Sequence, residues 1–225
     1  MKFAVYDLDQ TLLPVDSCDT WNSWLVHRAG MDEEAVERRN REFYDAYEKG
    51  TFDIDAFETF ILGLLAKCRR SDLDRWMDEY LDAVIRPAVR PEALELVKKS
   101  ESEGYVNVLA TGTHRFISQP IAGLFGFRHL VAATPEVTAE GEFTGRLVGG
   151  HSFAEGKLRM VREFVDGYAA RAGEKPERVD AYSDSINDLP LLSWASERGT
   201  AWAVNPSAAL RREAERRGWQ VMKIF

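Results

Sequence analysis

The chain opens on an apolar run, Phe3 to Tyr6, that meets two aspartates one residue apart, Asp7 and Asp9. It leaves through Thr11-Leu12-Leu13-Pro14. Apolar residues ending in polar ones and a proline predict a buried strand running into a loop. From about residue 15 to 88 the rhythm turns helical and glycine becomes sparse. Trp21, Trp24, Leu25 and Arg28 share one helix face. Phe43, Tyr44 and Tyr47 mark a second helix over residues 33–49. Phe57, Phe60, Ile61, Leu64 and Leu65 mark a third, and Leu73, Trp76, Met77, Tyr80, Leu81 and Val84 a fourth. No strand is expected here. The stretch reads as a helical insert bounded by Pro14 and by the pair Pro87 and Pro91.

Beyond Pro91 helical and strand patterns alternate. Helices are predicted over residues 92–103, 116–125, 154–170, 186–194 and 206–217. Strands are predicted over 105–110, 130–133, 178–182, 200–204 and 219–223, with a small hairpin over 137–147 broken by Glu140-Gly141-Glu142. Such alternation implies an α/β fold: a Rossmann-like, mainly parallel sheet flanked by helices, with the all-helical segment inserted after the first strand. The expected division is a catalytic core of residues 1–14 and 89–225 and a helical cap of residues 15–88. Ligands of such a sheet bind outside the C-terminal ends of its strands.

Four polar clusters fall at those strand ends or at helix starts. They are Asp7-x-Asp9-x-Thr11, Thr111-Gly112-Thr113-His114, Glu155-Gly156-Lys157 and Ser183-Asp184-Ser185-Ile186-Asn187-Asp188. Parallel strands bring all four to one edge. Two adjacent carboxylates repel by roughly 4 kcal/mol at ~4 Å and a dielectric near ~20, which suggests a cation or a catalytic purpose. Carboxylates at Asp7 and Asp184 suit a hard cation such as Mg²⁺. Lys157, Thr111 and the backbone of the Thr111–Thr113 turn suit a phosphate. Phosphate monoester hydrolysis needs charge neutralisation, an in-line nucleophile and an acid/base together. An aspartate can serve as nucleophile, and a second carboxyl can move protons.

Charge and composition narrow the partners. A net charge of −8 disfavours a nucleic-acid surface. No apolar run approaches a membrane span, and the apolar tetrapeptide after Lys2 ends at Asp7, too short for a signal peptide. Cys18 and Cys68 have no metal-ligand spacing and read as buried thiols of a reducing compartment, so cytoplasm is the default. The expected partners are a small phosphorylated metabolite and a second copy of the chain in a homodimer.

The ordered motifs Asp7-Leu8-Asp9-Gln10-Thr11, Thr111, Lys157 and Asp184-Ser185-Ile186-Asn187-Asp188 resemble those of the haloacid dehalogenase-like superfamily. The helical insert is similar to the cap of its phosphoserine-phosphatase-like subfamily. The resemblance implies Asp7 as nucleophile and Asp9 as general acid/base, its backbone carbonyl facing the metal. It implies Thr111 and Lys157 as phosphoryl ligands, Asp184 as a Mg²⁺ ligand, and Asp188 acting through metal-bound water or by orienting Lys157. Asn187 would touch the phosphate, together with Gly112. An aspartate at position 9 argues against carbon–halogen cleavage. The second motif, Thr111-Gly112-Thr113-His114-Arg115-Phe116, departs from the phosphoserine phosphatase form and looks more like a bacterial branch that includes histidinol-phosphate phosphatases.

The expected activity is therefore Mg²⁺-dependent hydrolysis of a small amino-alcohol phosphate, histidinol phosphate first and phosphoserine second. A phosphotransferase with the same site and a catalytically silent interaction module are the rivals. Asp16 is weighed as a contact for a substrate amine against a helix N-cap. Trp21 and Trp24 read as cap core rather than pocket lining. His114 stands between a site contact and a structural role. Arg115 would steer an anion or face solvent. Glu155 reads as a first-turn acid, and Arg211, Arg212, Arg216 and Arg217 as a solvated helix face.

Overall fold

Strand β1 (Lys2–Tyr6) is buried almost from end to end and lies at the centre of the sheet. The computed structural model describes residues 1–48 and 51–225, with the side chains of Tyr47 and Glu48 also outside the description. After β1 come α1 (Ser17–Arg28), α2 (Glu33–Glu48), α3 (Ile54–Leu65), α4 (Arg70–Tyr80) and α5 (Arg86–Ala88). The expected helix end at Lys49 and the place of Tyr47 on that helix lie outside the described residues. The second half runs α6 (Pro91–Ser102), β2 (Tyr105–Ala110), α7 (Arg115–Leu124), β3 (His129–Val131), β4 (Thr134–Val137) and β5 (Phe143–Val148). It continues through α8 (Glu155–Arg171), β6 (Arg178–Ser183), α9 (Leu189–Ser196), β7 (Ala201–Val204), α10 (Ala208–Arg217) and β8 (Gln220–Met222).

Among the described residues the main sheet has six strands in the order β3-β2-β1-β6-β7-β8, every neighbouring pair parallel. The chain winds outward from β1 on one side and resumes beside it at β6, so the crevice between β1 and β6 is the switch point of the topology. The fold is α/β and mainly parallel. Phe3, Val5, Val108, Val179 and Ala181 pack on one face with residues of α8, α9 and α10. Ala4, Tyr6, Leu109 and Tyr182 pack on the other with α6, α7 and the insert. The alternation of strand side chains is what separates these layers.

Within the described part of the insert there is no strand, as the pattern predicts. Its apolar interior is continuous with the sheet: Trp21, Leu25, Leu73 and Tyr80 belong to the same buried cluster as Tyr6 and Leu109. The hairpin β4–β5 is longer than the pattern indicates and braces the insert. A side-chain carbon on Gly145 would lie 3.5 Å from the Ala66 Cβ, and Arg70 N–H donates to Glu142 at 2.7 Å.

Pro87 sits inside α5, one residue before this helical segment ends at Ala88, and Pro91 opens α6. The helix line from α4 passes through a wide π turn, Leu81–Ile85, whose last carbonyl partner is Leu81 for the Arg86 N–H. That extra residue absorbs the break made by a proline that cannot donate. Elsewhere element ends differ by a residue or two, except that residues 186–188 form a separate tight turn before α9. Among the described residues no helix is long and apolar enough to cross a membrane.

Candidate active site

The turn after β1 carries the first two acids. Leu12 and Leu13 both return their N–H groups to the Leu8 carbonyl, and Gln10 takes a left-handed φ of 58°. A non-glycine residue there is strained, and Asn205 holds it by donating to the Gln10 and Thr11 carbonyls at 3.2 and 3.3 Å. The turn delivers Asp7, 6% exposed, to the mouth of the β1–β6 crevice. One Asp7 oxygen accepts from Lys157 Nζ at 2.9 Å and the other from Thr11 Oγ1 at 3.0 Å.

Lys157 stands in the first turn of α8 and is 5% exposed. It also donates to Asp188 Oδ2 at 2.7 Å, and that oxygen accepts from Ser183 Oγ at 2.7 Å. Burial works against the ammonium charge, yet Asp188 and Asp7 together hold its pKa above the ordinary value. Burial pushes Asp7 upward despite the pull of Lys157, and the Asp188 charge adds to the rise. Losing either partner of so buried a pair leaves an uncompensated charge.

Thr11 joins the two strand ends. Its hydroxyl accepts from Asp184 N–H at 2.9 Å and lies 3.0 Å from Asp7 Oδ2 and 3.1 Å from Asp184 Oδ1. One hydroxyl proton cannot satisfy two carboxylates. Burial, with the Asp7 charge behind it, pushes Asp184 up to about 8. The surplus negative charge and the all-oxygen donor set fit a hard divalent cation. Among the described residues no three His, Cys, Asp or Glu side chains form a metal cage. A cation at Asp7 and Asp184 would complete its shell with backbone oxygen and water, as Mg²⁺ commonly does.

Asp9 faces another way. Its Oδ1 accepts from Ser17 N–H at 2.8 Å and its Oδ2 from Thr113 Oγ1 at 2.8 Å. Both oxygens are thus engaged at the start of α1 and on the loop after β2. The four acids singled out for a metal therefore divide into Asp7 with Asp184, Asp188 under Lys157, and Asp9 under the insert. Enclosure, then the nearby Asp16 charge, pushes the Asp9 carboxyl up to about 7. An acid so poised can donate and recover a proton near neutrality.

Thr111 is buried at the end of β2, and its carbonyl accepts from Ser152 Oγ at 2.7 Å. Its own hydroxyl accepts from Thr113 N–H at 3.1 Å. Gly112 is exposed beside it, with ample room for a side chain, so its presence is not sterically forced. Asn187 takes part in the turn after β6, its side chain donating to Ser185 Oγ at 3.1 Å. His114 is 2% exposed, and neither ring nitrogen has a hydrogen-bond partner. Burial lowers its pKa to about 4, so the ring is neutral. Thr111, Gly112, His114 and Asn187, together with Asp7, Asp9, Lys157, Asp184 and Asp188, line one cavity of about 920 Å³ that also reaches α1, α2 and α3.

Other expectations resolve simply. Asp16 is the N-cap of α1, accepting from Asp19 N–H at 2.8 Å, and it also lines the cavity. Trp21 is fully buried, edge-on to Tyr80 and Phe116, and Trp24 packs beneath Arg28. Arg115 is half-buried and donates to the Leu130 carbonyl at 3.0 Å and to Gln119 at 2.9 Å, tying α7 to β3. Glu155 begins α8, and Arg216 and Arg217 pair with Glu213. The sequence clusters contained Thr11, Thr113 and Ser183 but assigned them no task. Ser152, which bridges the Ala133 N–H and the Thr111 carbonyl, carried no signal at all.

The description of haloacid dehalogenase-like hydrolases matches residues 4–193. The chain is 34% identical over 226 residues to a histidinol-phosphatase of Neisseria meningitidis, with 99% of each covered. It is 36% identical over 221 residues to a phosphoserine phosphatase of Mycobacterium tuberculosis, covering 97% of this chain and 69% of the other. A solved protein of unknown function from Bordetella pertussis superposes with a TM-score of 0.88 at 37% identity, covering 100% of this chain and 99% of that one.

Proposed function

The chain belongs to the haloacid dehalogenase-like hydrolase family and is a phosphatase, and on that premise we propose that it cleaves a small amino-alcohol phosphate, histidinol phosphate first, through a phosphorylated Asp7. The observation that carries this is the division of labour between two aspartates of one turn. Asp7 is held at both oxygens, by Lys157 and Thr11, facing the cavity. Asp9 lines the same cavity but is held on Ser17 and Thr113, its carboxyl pushed up to about 7 by burial.

In the first step an Asp7 oxygen attacks phosphorus and the bond to the leaving oxygen breaks. Asp9 gives its proton to that oxygen, and the alcohol departs. In the second, Asp9 takes a proton from water, the water oxygen attacks phosphorus, and the acyl-phosphate bond breaks to restore Asp7. Lys157 and Thr111 hold the phosphoryl oxygens, and Asp188 with Ser183 keeps Lys157 in place. Mg²⁺ would rest on Asp7 and Asp184 with the Asp9 carbonyl, and when bound it supplies positive charge to the phosphoryl oxygens. Residues 15–88 act as a cap that excludes water from the first step.

Support for histidinol phosphate is the full-length likeness to the Neisseria enzyme. Phosphoserine is the second reading, from the Mycobacterium relative. Turnover of histidinol phosphate, phosphoserine and sugar phosphates with Mg²⁺, compared by kcat/KM, decides between them. The expected order places histidinol phosphate first. A preference for a sugar phosphate, or a new ester in place of free phosphate when acceptor alcohols are added, would refute the reading.

A further inference from the structure

Glu58 is the one acid in the buried stripe of α3, on the side shared by Ile54, Ile61, Leu62 and Leu65. It is 7% exposed, and among the described residues no hydrogen bond or ion pair reaches it. A buried carboxylate without a partner is expensive in free energy, and a neutral carboxyl would still want an acceptor for its proton. Burial, with Asp55 adding to it, pushes this carboxyl up to about 7. What little exposure the residue keeps is toward the cavity that also holds Asp7 and Lys157.

Two further acceptors on the same wall have no donor among the described residues. The Oδ1 atoms of Asn22 and Asn40 are buried and unpartnered, and both residues line the cavity. Among the described lining residues the fixed cations are Lys157, already shared by Asp7 and Asp188, and Arg41, which pairs with Glu37 at 3.3 Å. Among the described residues the insert wall thus presents acceptors and negative charge, with Arg41 as its one fixed cation and Glu37 beside it. The Cys18 thiol links this wall to the reacting end: burial raises its pKa, and then the charges of Asp16, Glu58 and Asp9 raise it further. Glu58 and the proton-donating Asp9 therefore share a neighbourhood.

We propose that Glu58 is the specificity-determining residue of the cavity: it receives the protonated amine of the leaving group, with the Asn22 and Asn40 carbonyls as further acceptors. It thereby selects phosphomonoesters of amino alcohols that carry no carboxylate beside the amine. An ammonium has three donors and no acceptor, which matches this wall. A carboxylate beside the amine would meet the Glu58 charge, and among the described residues of that wall the one fixed cation, Arg41, is engaged by Glu37. The inference rests on the amino-alcohol reading above and adds the group that enforces it.

The test is a ratio. Wild-type and Glu58→Gln proteins are compared at about pH 8, where Glu58 is ionised, on histidinol phosphate, phosphoserine and p-nitrophenyl phosphate. Loss of one buried charge-assisted contact is expected to lower kcat/KM for histidinol phosphate relative to p-nitrophenyl phosphate roughly 10- to 100-fold. The preference for histidinol phosphate over phosphoserine should narrow with it. Turnover of p-nitrophenyl phosphate in the same preparation reports a folded site. A selectivity that survives the substitution overturns the Glu58 assignment alone, as does a parallel fall on all three substrates. A wild-type enzyme that accepts p-nitrophenyl phosphate but ignores histidinol phosphate overturns the amino-alcohol reading and this inference with it.

Discussion

The two walls of the cavity are built on opposite principles. At the sheet edge the acids are tied down before substrate arrives: Asp7 by Lys157 and Thr11, Asp188 by Lys157 and Ser183, Asp9 by Ser17 and Thr113. On the insert, the Asn22 and Asn40 Oδ1 atoms and the buried Glu58 carboxyl present acceptors that have no partner among the described residues. Preorganised groups suit a reaction whose charge changes are the same for every ester. Unsatisfied groups suit recognition, because a wrong ligand leaves them buried and unpaired. On the proposed reading, chemistry is held at the strand ends and selectivity on the helices.

The largest expected effects lie at the sheet edge and should not depend on the leaving group's amine. Asp7→Asn should remove turnover of every ester, a fall of about 10⁴-fold or more, with the circular dichroism spectrum retained. Asp9→Asn should cost roughly 10²- to 10⁴-fold on alkyl esters and far less on p-nitrophenyl phosphate, whose leaving group needs no proton. Equal losses on both ester types would mean that Asp9 is not the proton donor. A substantially active Asp7→Asn variant would end the nucleophile assignment.

A smaller effect separates the walls by their response to Mg²⁺. Asp184 is raised to about 8 and Asp7 is raised as well, both chiefly by burial. Their unfolded counterparts titrate near 4, so in the absence of metal the folded state holds protons that the unfolded state has lost. Stability from these groups is therefore intact at acid pH and declines as pH climbs through about 4 to 8. A divalent cation replaces those protons, and its stabilisation should grow over the same interval. At ~100 times its dissociation constant it is worth about 2.7 kcal/mol. The Tm gain with Mg²⁺, read by scanning fluorimetry, should be several degrees near pH 8.5 and close to nothing near pH 5. A gain that is the same at both, or larger in acid, would contradict a cation at Asp7 and Asp184.

The difference between the walls also explains what could be read from the sequence. The sheet edge is local: each candidate residue stands at a strand end or helix start, so short motifs and alternation were enough to anticipate that Asp7, Thr111, Lys157 and Asp184 meet in one cavity. The parallel order of β1, β2 and β6 follows from the same alternation. The insert is not local. Glu58 belongs to no motif, and its only trace is an acid at a helical position where Ile54, Ile61 and Leu65 are apolar. Asn22 and Asn40 look like ordinary helix-surface residues until α1, α2 and α3 pack around one space. Asp16 and Arg115 show the converse. Each looked suited to a ligand, and local geometry claimed one as a cap and the other as a staple.

The smallest effect concerns how the walls are held together. Phe52, on the insert between α2 and α3, packs its ring 5.7 Å from that of Phe153, four residues before Lys157 on the core. Phe52 also meets Phe43 and Phe57, so this contact fastens an aromatic knot of the insert to the catalytic side. The base of the insert needs no such latch, since Trp21, Leu25 and Tyr80 share the sheet's own buried cluster. An aromatic pair contributes about 0.5–1.5 kcal/mol beyond its burial. Phe153→Ala should therefore raise KM roughly 2- to 10-fold for all esters alike, with a smaller change in kcat. Unlike Glu58→Gln, it should leave the ratio between histidinol phosphate and p-nitrophenyl phosphate unmoved. Phe52→Ala combined with Phe153→Ala should be no worse than the more severe single variant, because the second change removes a contact already lost. If the two losses add instead, the rings do not act as one latch, and closure of the cavity must depend on contacts nearer the base.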